Sequence, residues 1–467
     1  MRSIIPQTGP RLAVQREVNT TMLHLIFGGI HLDGRKEGTR RKPLAGLDVE
    51  PEQVILSLSV HGGAACVPVV AVGDTVAQGQ PVAKNEQGVL VHASVSGTVQ
   101  DIGQWPHPRG GTARAVIIRN DGKHTLWPGC GQETADWNSL TADQIIDRVR
   151  QAGIVGMGGG GYPTANKLEA NRGRVDTLIV NAAESEPYVT ADHRLLLERS
   201  EGVLVGLSLL CKAVGAADGV VAVEGNKLNA AEVLERTAKR CGLPGRVCTV
   251  PSRYPLGAEK QVVKSVTGRE ISPDRTAVDE GCVVFNAATA FAVYEAVVKG
   301  LPLTHRVVTV TGGALARPRN LWVPIGAPMN ELVKAAGGFK EQPALILAGG
   351  PMMGVAQDDL AAPVTKSTNS LVCMLDWELG EKKEETVCIR CGRCVSVCPM
   401  HLMPLLVDKE LKLGGDVREL RRLHTEDCMG CGCCTYVCPS HIPLVERMEQ
   451  ARQLVKQADR KQVEVML

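Results

Sequence analysis

Eight of the sixteen cysteines fall in two matching runs near the C-terminus. The first is Cys388-x2-Cys391-x2-Cys394-x3-Cys398-Pro399, and the second is Cys428-x2-Cys431-x2-Cys434-x3-Cys438-Pro439. In such runs three thiolates on a tight loop take three irons of a [4Fe–4S] cube, and the fourth belongs to the other cube. The spacing predicts one cluster on Cys388, Cys391, Cys394 and Cys438, and a second on Cys428, Cys431, Cys434 and Cys398. Cubes of this kind move electrons one at a time. The plain alternative is structural zinc. Zinc closes on four ligands, usually as two CxxC pairs at variable separation, whereas each run here holds four cysteines and ends in proline. Cys433, beside Cys434, reads as a packed thiol.

A second constellation is the loop Gly156-Met157-Gly158-Gly159-Gly160-Gly161-Tyr162-Pro163, with five glycines in six positions. Glycines let backbone N–H groups turn inward and form an anion nest. A helix opening near Pro163 adds its N-terminal partial charge, and Lys167 adds a full one. A phosphate suits this place. The competing reading is a glycine-rich surface turn. A GxGxxG dinucleotide fingerprint fits less well, because the glycine order and the Tyr-Pro exit differ.

About twenty residues on comes Asn181-Ala182-Ala183-Glu184-Ser185-Glu186-Pro187, at the end of the apolar run TLIV. Open α/β sheets bind ligands outside the carboxyl ends of their strands. Two acids and an amide there can bond a flavin ring or a ribose. An ordinary capped loop is the alternative, with Glu186 capping the helix after Pro187.

These residues need elements to hold them. At 467 residues the chain has room for several domains of about 100–200 residues each. Its 52 basic and 50 acidic residues leave a net charge of +2, which gives no footprint for nucleic acid. No apolar run reaches the roughly 18 residues of a membrane span. Met1–Arg16 lacks the sustained apolar core of a signal peptide. Scattered thiols beside cluster ligands suit a reducing compartment. Residues 50–120 read as short strands with Gly-centred turns, similar to the barrel-sandwich fold of lipoyl and biotinyl carriers. Lys84 lies where those carriers bear their modifiable lysine but lacks its flanking residues, so a structural role is the better reading. From 140 to 300, apolar strands alternate with helical segments, one of them running as a single helix through LLLERSEGVLVGLSLLCKAVG. Residues 304–338 resemble a β-grasp module, and 376–386 read as a charged linker.

The expected architecture is α/β and multidomain. It comprises an extension (1–21), a β-rich barrel-sandwich domain (22–130), an α/β flavin- and nucleotide-binding domain (131–300) and a β-grasp module (301–345). A linker region (346–380), a two-cluster ferredoxin-like domain (381–450) and a C-terminal tail (451–467) complete it.

The motifs together resemble the C subunit of the Rnf electron-transport complex, a relative of the flavin- and NADH-binding subunit of respiratory complex I. The likeness runs from about Met22 to Val445. It is carried by FGGIHLDG, the glycine loop, NAAESEPYVTADHRLL, YPLGAEKQ, TAVDEGCVVFNAATA, RVVTVTGGALARPRNLWVPIG, LAGGPMMG and the twin cysteine runs. The complex I relative holds FMN on a loop of form GxGGAGFPTGxK. By that resemblance Gly156, Gly158, Gly159, Gly161 and Lys167 hold FMN, and Tyr162 stacks on nicotinamide. Asn181 and Glu184 sit by the flavin and Glu186 by NADH, while Tyr254, Gly257 and Glu259 match its YxCGEE and Asn286 its paired asparagines. Ala183, Ala258 and Ala287 stand where the relative has Asp, Glu and Asn, so the flavin has fewer polar contacts. The resemblance implies FMN, NAD(H) and two [4Fe–4S] clusters, with no obligatory acid or base for hydride transfer and no catalytic triad. It implies a peripheral subunit on the cytoplasmic side of the cell membrane. Membrane partners would couple electron flow between ferredoxin and NAD+, in either direction, to Na+ or H+ movement. Ferredoxin itself would be met only indirectly. A soluble flavin and iron–sulfur reductase serving a corrinoid enzyme in a bacterial microcompartment shares this architecture, as does a cluster wire that has lost its flavin.

Overall fold

The computed structural model describes residues 27–44, 49–59, 65–380 and 383–466. The expected extension over 1–21 lies outside them. The first lobe is built from β1 (Gln53–Ser57), β2 (Val67–Pro68), β3 (Thr75–Val76), β4 (Pro81–Lys84), β5 (Leu90–His92), β6 (Gly97–Pro106) and β7 (Thr112–Asn120). Two antiparallel sheets, β1-β7-β6-β3 and β2-β4-β5, enclose Val54, Leu56, Val82, Val99, Val116 and Ile118. The β6–β7 pairing ends at Pro106 opposite Thr112, which leaves residues 107–111 as a projecting tip.

The α/β domain follows as α1 (Ala142–Gln151), α2 (Thr164–Asn171), β8 (Thr177–Ala182), α3 (Ala191–Glu198), α4 (Ser200–Val214), β9 (Asp218–Glu224), α5 (Leu228–Cys241), β10 (Arg246–Val250), α6 (Glu259–Thr267), β11 (Cys282–Asn286) and α7 (Ala287–Val297). Its sheet is wholly parallel, in the order β10-β9-β8-β11. Helices cover both faces, so the strands read as continuous apolar runs such as Thr-Leu-Ile-Val. The stretch expected to form one helix forms two, α3 and α4, broken at Arg199, whose φ is −131°. Gly206 lets α4 lie directly on the backbone of α7, because any Cβ there would overlap the Ala290 carbonyl. That contact presses α7 under the end of β11, where Asn286 sits.

The third sheet comprises β12 (His305–Thr311), β13 (Arg319–Pro324), β14 (Leu345–Ala348), β15 (Val355–Ala356) and β16 (Ser370–Met374), in the order β13-β12-β16-β14-β15, with α8 (Met329–Ala335) packed on it. The expected linker over 346–380 is therefore wrong. β16 is fully buried at the centre of this sheet, pairing with β12 and β14. Its pattern hid behind the Gly- and Pro-rich stretch that precedes it. Nor is 376–386 a plain linker at its start. Asp376–Leu379 forms a helical turn, α9, and Glu378 accepts hydrogen bonds from Tyr188 Oη at 2.8 Å and Gly313 N at 2.8 Å.

The last lobe carries α10 (Arg393–Ser396), α11 (Pro404–Lys412), α12 (Val417–Arg422), α13 (Cys433–Tyr436) and α14 (Leu444–Met466). The expected tail over 451–467 is instead the second half of α14. Ala451 and Val455, like Met448 just before them, are buried against Val407 of α11 and Leu420 of α12. The charged residues between these apolar positions disguise a one-sided helix.

Overpacking a closely approached helix pair costs about 1–3 kcal/mol. Gly206→Ala should therefore destabilise the α/β domain by about that amount and speed amide exchange in β8 and β11. Exchange rates equal to wild type would show that the α4–α7 contact carries no such load.

Candidate functional site

Four backbone segments converge at the carboxyl ends of the parallel strands. The glycine loop is closed by Gly156 N donating to Tyr162 O at 2.8 Å and Gly161 N donating to Gly156 O at 2.9 Å. Gly159 has φ +110°, and among the described residues no heavy atom beyond its chain neighbours lies within 4 Å of where its Cβ would be. The loop thus opens a cradle that only glycine lining leaves clear. Gly158 lies over Asn286, and a Cβ on it would stand 3.1 Å from the Asn286 Cβ. Tyr162 stands at the rim, 47% exposed.

Asn181, at the end of β8, donates from Nδ2 to Gly257 O at 2.8 Å and accepts at Oδ1 from Ala183 N at 3.0 Å. Register places it beside Asn286 on β11. Asn286 caps α7 by accepting from Ala288 N at 2.9 Å, and its Nδ2 donates to Asp192 at 2.6 Å. Gly257 fits closely under the strand end, 2.6 Å from Ala183 O at its Cβ position.

Glu184 is buried, and its Oε1 accepts from Asp192 N at 2.8 Å at the start of α3. Among the described residues its Oε2 has no partner. A buried carboxylate oxygen without a donor costs free energy unless something else supplies one, and a bound ligand can. Two lysines meet at the backbone of this residue: Lys36 Nζ donates to Glu184 O at 2.6 Å and to Val189 O at 2.7 Å, and Lys227 Nζ donates to Glu184 O at 3.2 Å. Lys227 also pairs with Glu224 at 2.5 Å. Burial, followed by the Lys227 charge, pushes Lys36 down to about 8. Burial and the facing Glu184 push the Asp192 carboxyl up.

The two remaining acids take separate partners. Glu259, the first residue of α6, stands 3.7 Å from Lys167. The Lys167 ammonium donates to Val284 O at 2.8 Å and lies over the Phe285 ring, so in this structure its charge is turned toward the end of β11. Glu186 does not cap α3; its Oε2 accepts from Met352 N at 3.1 Å and its Oε1 from Met353 N at 2.9 Å. The carboxylate that meets the start of α3 is Glu184. Glu186 therefore ties the strand end to the 350–353 loop of the third sheet.

That loop touches the cysteine lobe, with Met352 packing 3.6 Å from the Cβ position of Gly432. Tyr254 is buried in the same seam, and its Oη donates to Cys431 O at 2.8 Å. Beyond it, the sulfurs ring two cavities. Cys398, Cys428, Cys431 and Cys434 line one, and Cys388, Cys391, Cys394 and Cys438 line the other. The fourth cysteine of each run thus crosses to the other run's loop. Among the described residues no three His, Cys, Asp or Glu side chains converge to hold a single metal ion. Four sulfurs spaced around a cavity fit a cube instead. Cys433 is fully buried against Ile30 and Tyr254 and lines the first cavity without belonging to the crossing set.

Sequence patterns brought the named positions of β8, α6, β11 and the glycine loop to one place. They missed Lys36, Lys227, Asp192 and Met352. Asp192 and Met352 lie inside motifs already singled out and Lys36 two residues past one, but nothing local signals a lysine whose partners are backbone carbonyls about 150 residues away.

A parallel sheet with a glycine cradle and an unpartnered carboxylate at its strand ends, joined to paired cysteine loops, defines a flavin-type and iron–sulfur redox protein. Family models agree: "Nuo51 FMN-binding domain" matches residues 149–295, "RnfC Barrel sandwich hybrid domain" 24–123, "SLBB domain" 307–356 and "4Fe-4S dicluster domain" 387–442. The C subunit of the proton-translocating ferredoxin:NAD(+) oxidoreductase complex of Clostridium ljungdahlii is 39% identical over 83% of this chain and 84% of its own. The Na(+)-translocating counterpart of Acetobacterium woodii is 41% identical over 81% and 85%. An NAD+-reducing [NiFe]-hydrogenase aligns at 20% identity with a TM-score of 0.48 over 71% of this chain and 64% of that one, too slight a likeness to add to these. The chain belongs to the RnfC family, the C subunits of the Rnf-type ion-translocating oxidoreductase complexes.

Burial raises the Glu186 carboxyl to about 7, against the opposing pull of the Met352 and Met353 N–H groups and Lys36. Between the ordinary carboxylate range and about 7 the folded chain holds a proton that the unfolded chain releases, so this group's contribution to stability falls as pH rises through that window. Glu186→Gln removes the titration. The melting temperature of the ligand-free variant relative to wild type should climb between about pH 5 and pH 8. A flat difference would mean that Glu186 does not titrate there.

Proposed function

We propose that this chain passes electrons between NAD(H) and two [4Fe–4S] clusters by way of FMN, as the peripheral, cytoplasm-facing C subunit of a ferredoxin:NAD+ oxidoreductase. Membrane partners couple that flow to Na+ or H+ movement. Among the described residues no helix is long and apolar enough to cross a membrane. The observation that carries the reading is the seam at Tyr254 and Met352, where the strand-end site and the first sulfur-lined cavity share one wall.

Bound at the glycine cradle, FMN supplies the exchange between the two-electron hydride chemistry of nicotinamide and the one-electron chemistry of iron–sulfur cubes. The chain's own residues bind and align. Inward N–H groups of Gly158 and Gly159 take the flavin phosphate, with the α2 N-terminus and Lys167 nearby, while Gly156 and Gly161 spend their N–H groups closing the loop that holds it. Asn181, Asn286 and the free Oε2 of Glu184 offer polar partners to the flavin. Lys36 and Lys227 fix the Glu184 backbone so that this oxygen holds its place. Tyr162 covers the nicotinamide, and Glu186 and Glu259 accept from ribose hydroxyls, which disfavours the 2′-phosphate of NADP. Tyr254 and Gly257 shape the floor. No residue need act as acid or base.

Cys398, Cys428, Cys431 and Cys434 hold the cube on the flavin side. Cys388, Cys391, Cys394 and Cys438 hold the outer one, beside the exposed Ile389 and Cys391, where a partner protein can exchange single electrons.

Anaerobically purified protein should carry about eight irons, the content of two cubes. Cys398→Ala should damage the cluster built mainly by the second run, read by electron paramagnetic resonance. Loss of the first run's cluster alone would refute the crossed ligation. Gly159→Val places a side chain in the cradle and should abolish FMN while leaving iron content intact; stoichiometric FMN in that variant would reduce the loop to a turn.

A further inference from the structure

The barrel lobe reaches the strand-end site. At the tip of the β6–β7 hairpin, Arg109 Nη2 donates to Gly159 O at 2.6 Å, across the rim of the glycine loop. The tip is shaped for this. His107 N donates to Gly111 O at 3.0 Å, Gly110 N to His107 O at 2.8 Å and Arg109 N to His107 Nδ1 at 3.2 Å. It is also tied to the third sheet, where Gln357 Nε2 donates to Pro108 O at 2.9 Å. Three loops from three lobes, 107–111, 157–162 and 350–357, therefore frame one mouth, and Glu186 anchors the last of them.

The charges around that mouth are unevenly committed. Glu184, Glu186, Asp192 and Glu259 are all acidic and stand at or near the strand ends. Lys36 and Lys227 are buried and spent on carbonyls and Glu224, and Lys167 serves Val284 O and Glu259. A dinucleotide brings a doubly charged pyrophosphate into this acidic surround, and it needs a cation. Arg109 is exposed, and among the described residues the Gly159 carbonyl is its one side-chain hydrogen bond. A guanidinium presents a rigid fork of donors matched to phosphate oxygens.

We propose that Arg109 is the pyrophosphate anchor of the nicotinamide dinucleotide, delivered to the α/β site by the barrel-sandwich lobe. This rests on the reading of the site as an NAD(H) site. It gives the carrier-like lobe, which lacks a carrier's lysine setting, a part in substrate recognition. The guanidinium exchanges the Gly159 carbonyl for a pyrophosphate oxygen when the dinucleotide enters.

The test uses full-length, anaerobically purified wild type, Arg109→Gln and Arg109→Lys. Affinity for ADP-ribose, which carries the pyrophosphate without nicotinamide, is measured by equilibrium titration against adenosine, which carries neither. KM and kcat for NADH are measured with ferricyanide, and FMN content by absorbance. Arg109→Gln should weaken ADP-ribose about tenfold or more, the value of a charge-assisted pair, and leave adenosine unchanged. KM for NADH should rise with kcat nearly constant, FMN content should match wild type, and Arg109→Lys should recover part of the loss. Unchanged ADP-ribose affinity in Arg109→Gln overturns the proposal while leaving the NAD(H) site standing. Loss of FMN with intact ADP-ribose binding also overturns it, and assigns the arginine to the flavin phosphate. Failure of wild type to bind either ADP-ribose or NADH removes the site reading and the proposal together.

Discussion

The clasp between the cysteine lobe and the α/β domain is the constraint on which the rest of the structure depends. Ile30 and Tyr254 exchange backbone hydrogen bonds at 2.8 and 2.9 Å, and Gly29 N reaches across to Val397 O at 2.7 Å. Tyr254 Oη then reaches Cys431 O, and Gln261 Nε2 reaches Pro399 O at 3.0 Å. Tyr254 and Gln261 thus bond directly to the backbone of the two cysteine loops, and Gly29 and Ile30 bridge Val397 to Tyr254 beside them. Backbone acceptors matter here, since a cysteine loop can shift only by surrendering them. Buried hydrogen bonds left unmade cost more than made ones contribute, so the seam favours one docking geometry. A chain that moves electrons singly must hold its centres at a fixed spacing, and this seam fixes it.

Around the clasp the site is held by groups that never reach its surface. Burying Lys36 and Lys227 beside each other is unfavourable by desolvation and repulsion, as the lowered position of Lys36 records. Their ammonium groups are satisfied by Glu224 and by the carbonyls of Glu184 and Val189. Breaking one partner of such a network leaves a buried charge, which costs several kcal/mol (roughly 3–5). The loop after β8 is therefore rigid where Glu184 must present an unpartnered oxygen. Gly206, far behind, serves the same end by letting α7 press under Asn286.

Much of this was legible in the residues. Cysteine spacing carries its own geometry, because three ligands on one loop and a fourth on the next helix leave few arrangements, and the crossed pairing of Cys398 and Cys438 follows. The parallel sheet showed through unbroken apolar runs. What stayed hidden depended on distant partners. β16 looked like linker because it gains its identity only between β12 and β14. The later part of α14 looked like a tail because its buried positions Ala451 and Val455 are spread among charges. Glu186 read as a ribose partner, with a helix cap as the alternative, because nothing near it in sequence reveals Met352 and Met353, some 166 residues on. Arg109 carries no signal at all until the β6–β7 hairpin is folded and its tip meets Gly159.

The central claim is electronic continuity across the Tyr254 seam. The direct measurement is rapid mixing of anaerobic protein, its clusters and flavin fully reduced and excess reductant removed, with NAD+. Cluster oxidation is followed by freeze-quench electron paramagnetic resonance and NADH by absorbance. The account predicts that both cluster signals decay as NADH forms, beyond what the flavin's own two electrons supply, with two cluster electrons consumed per additional NAD+ reduced. Clusters that stay reduced while NAD+ oxidises the flavin in the same sample would contradict it, because the two lobes would then be joined in structure but not in function.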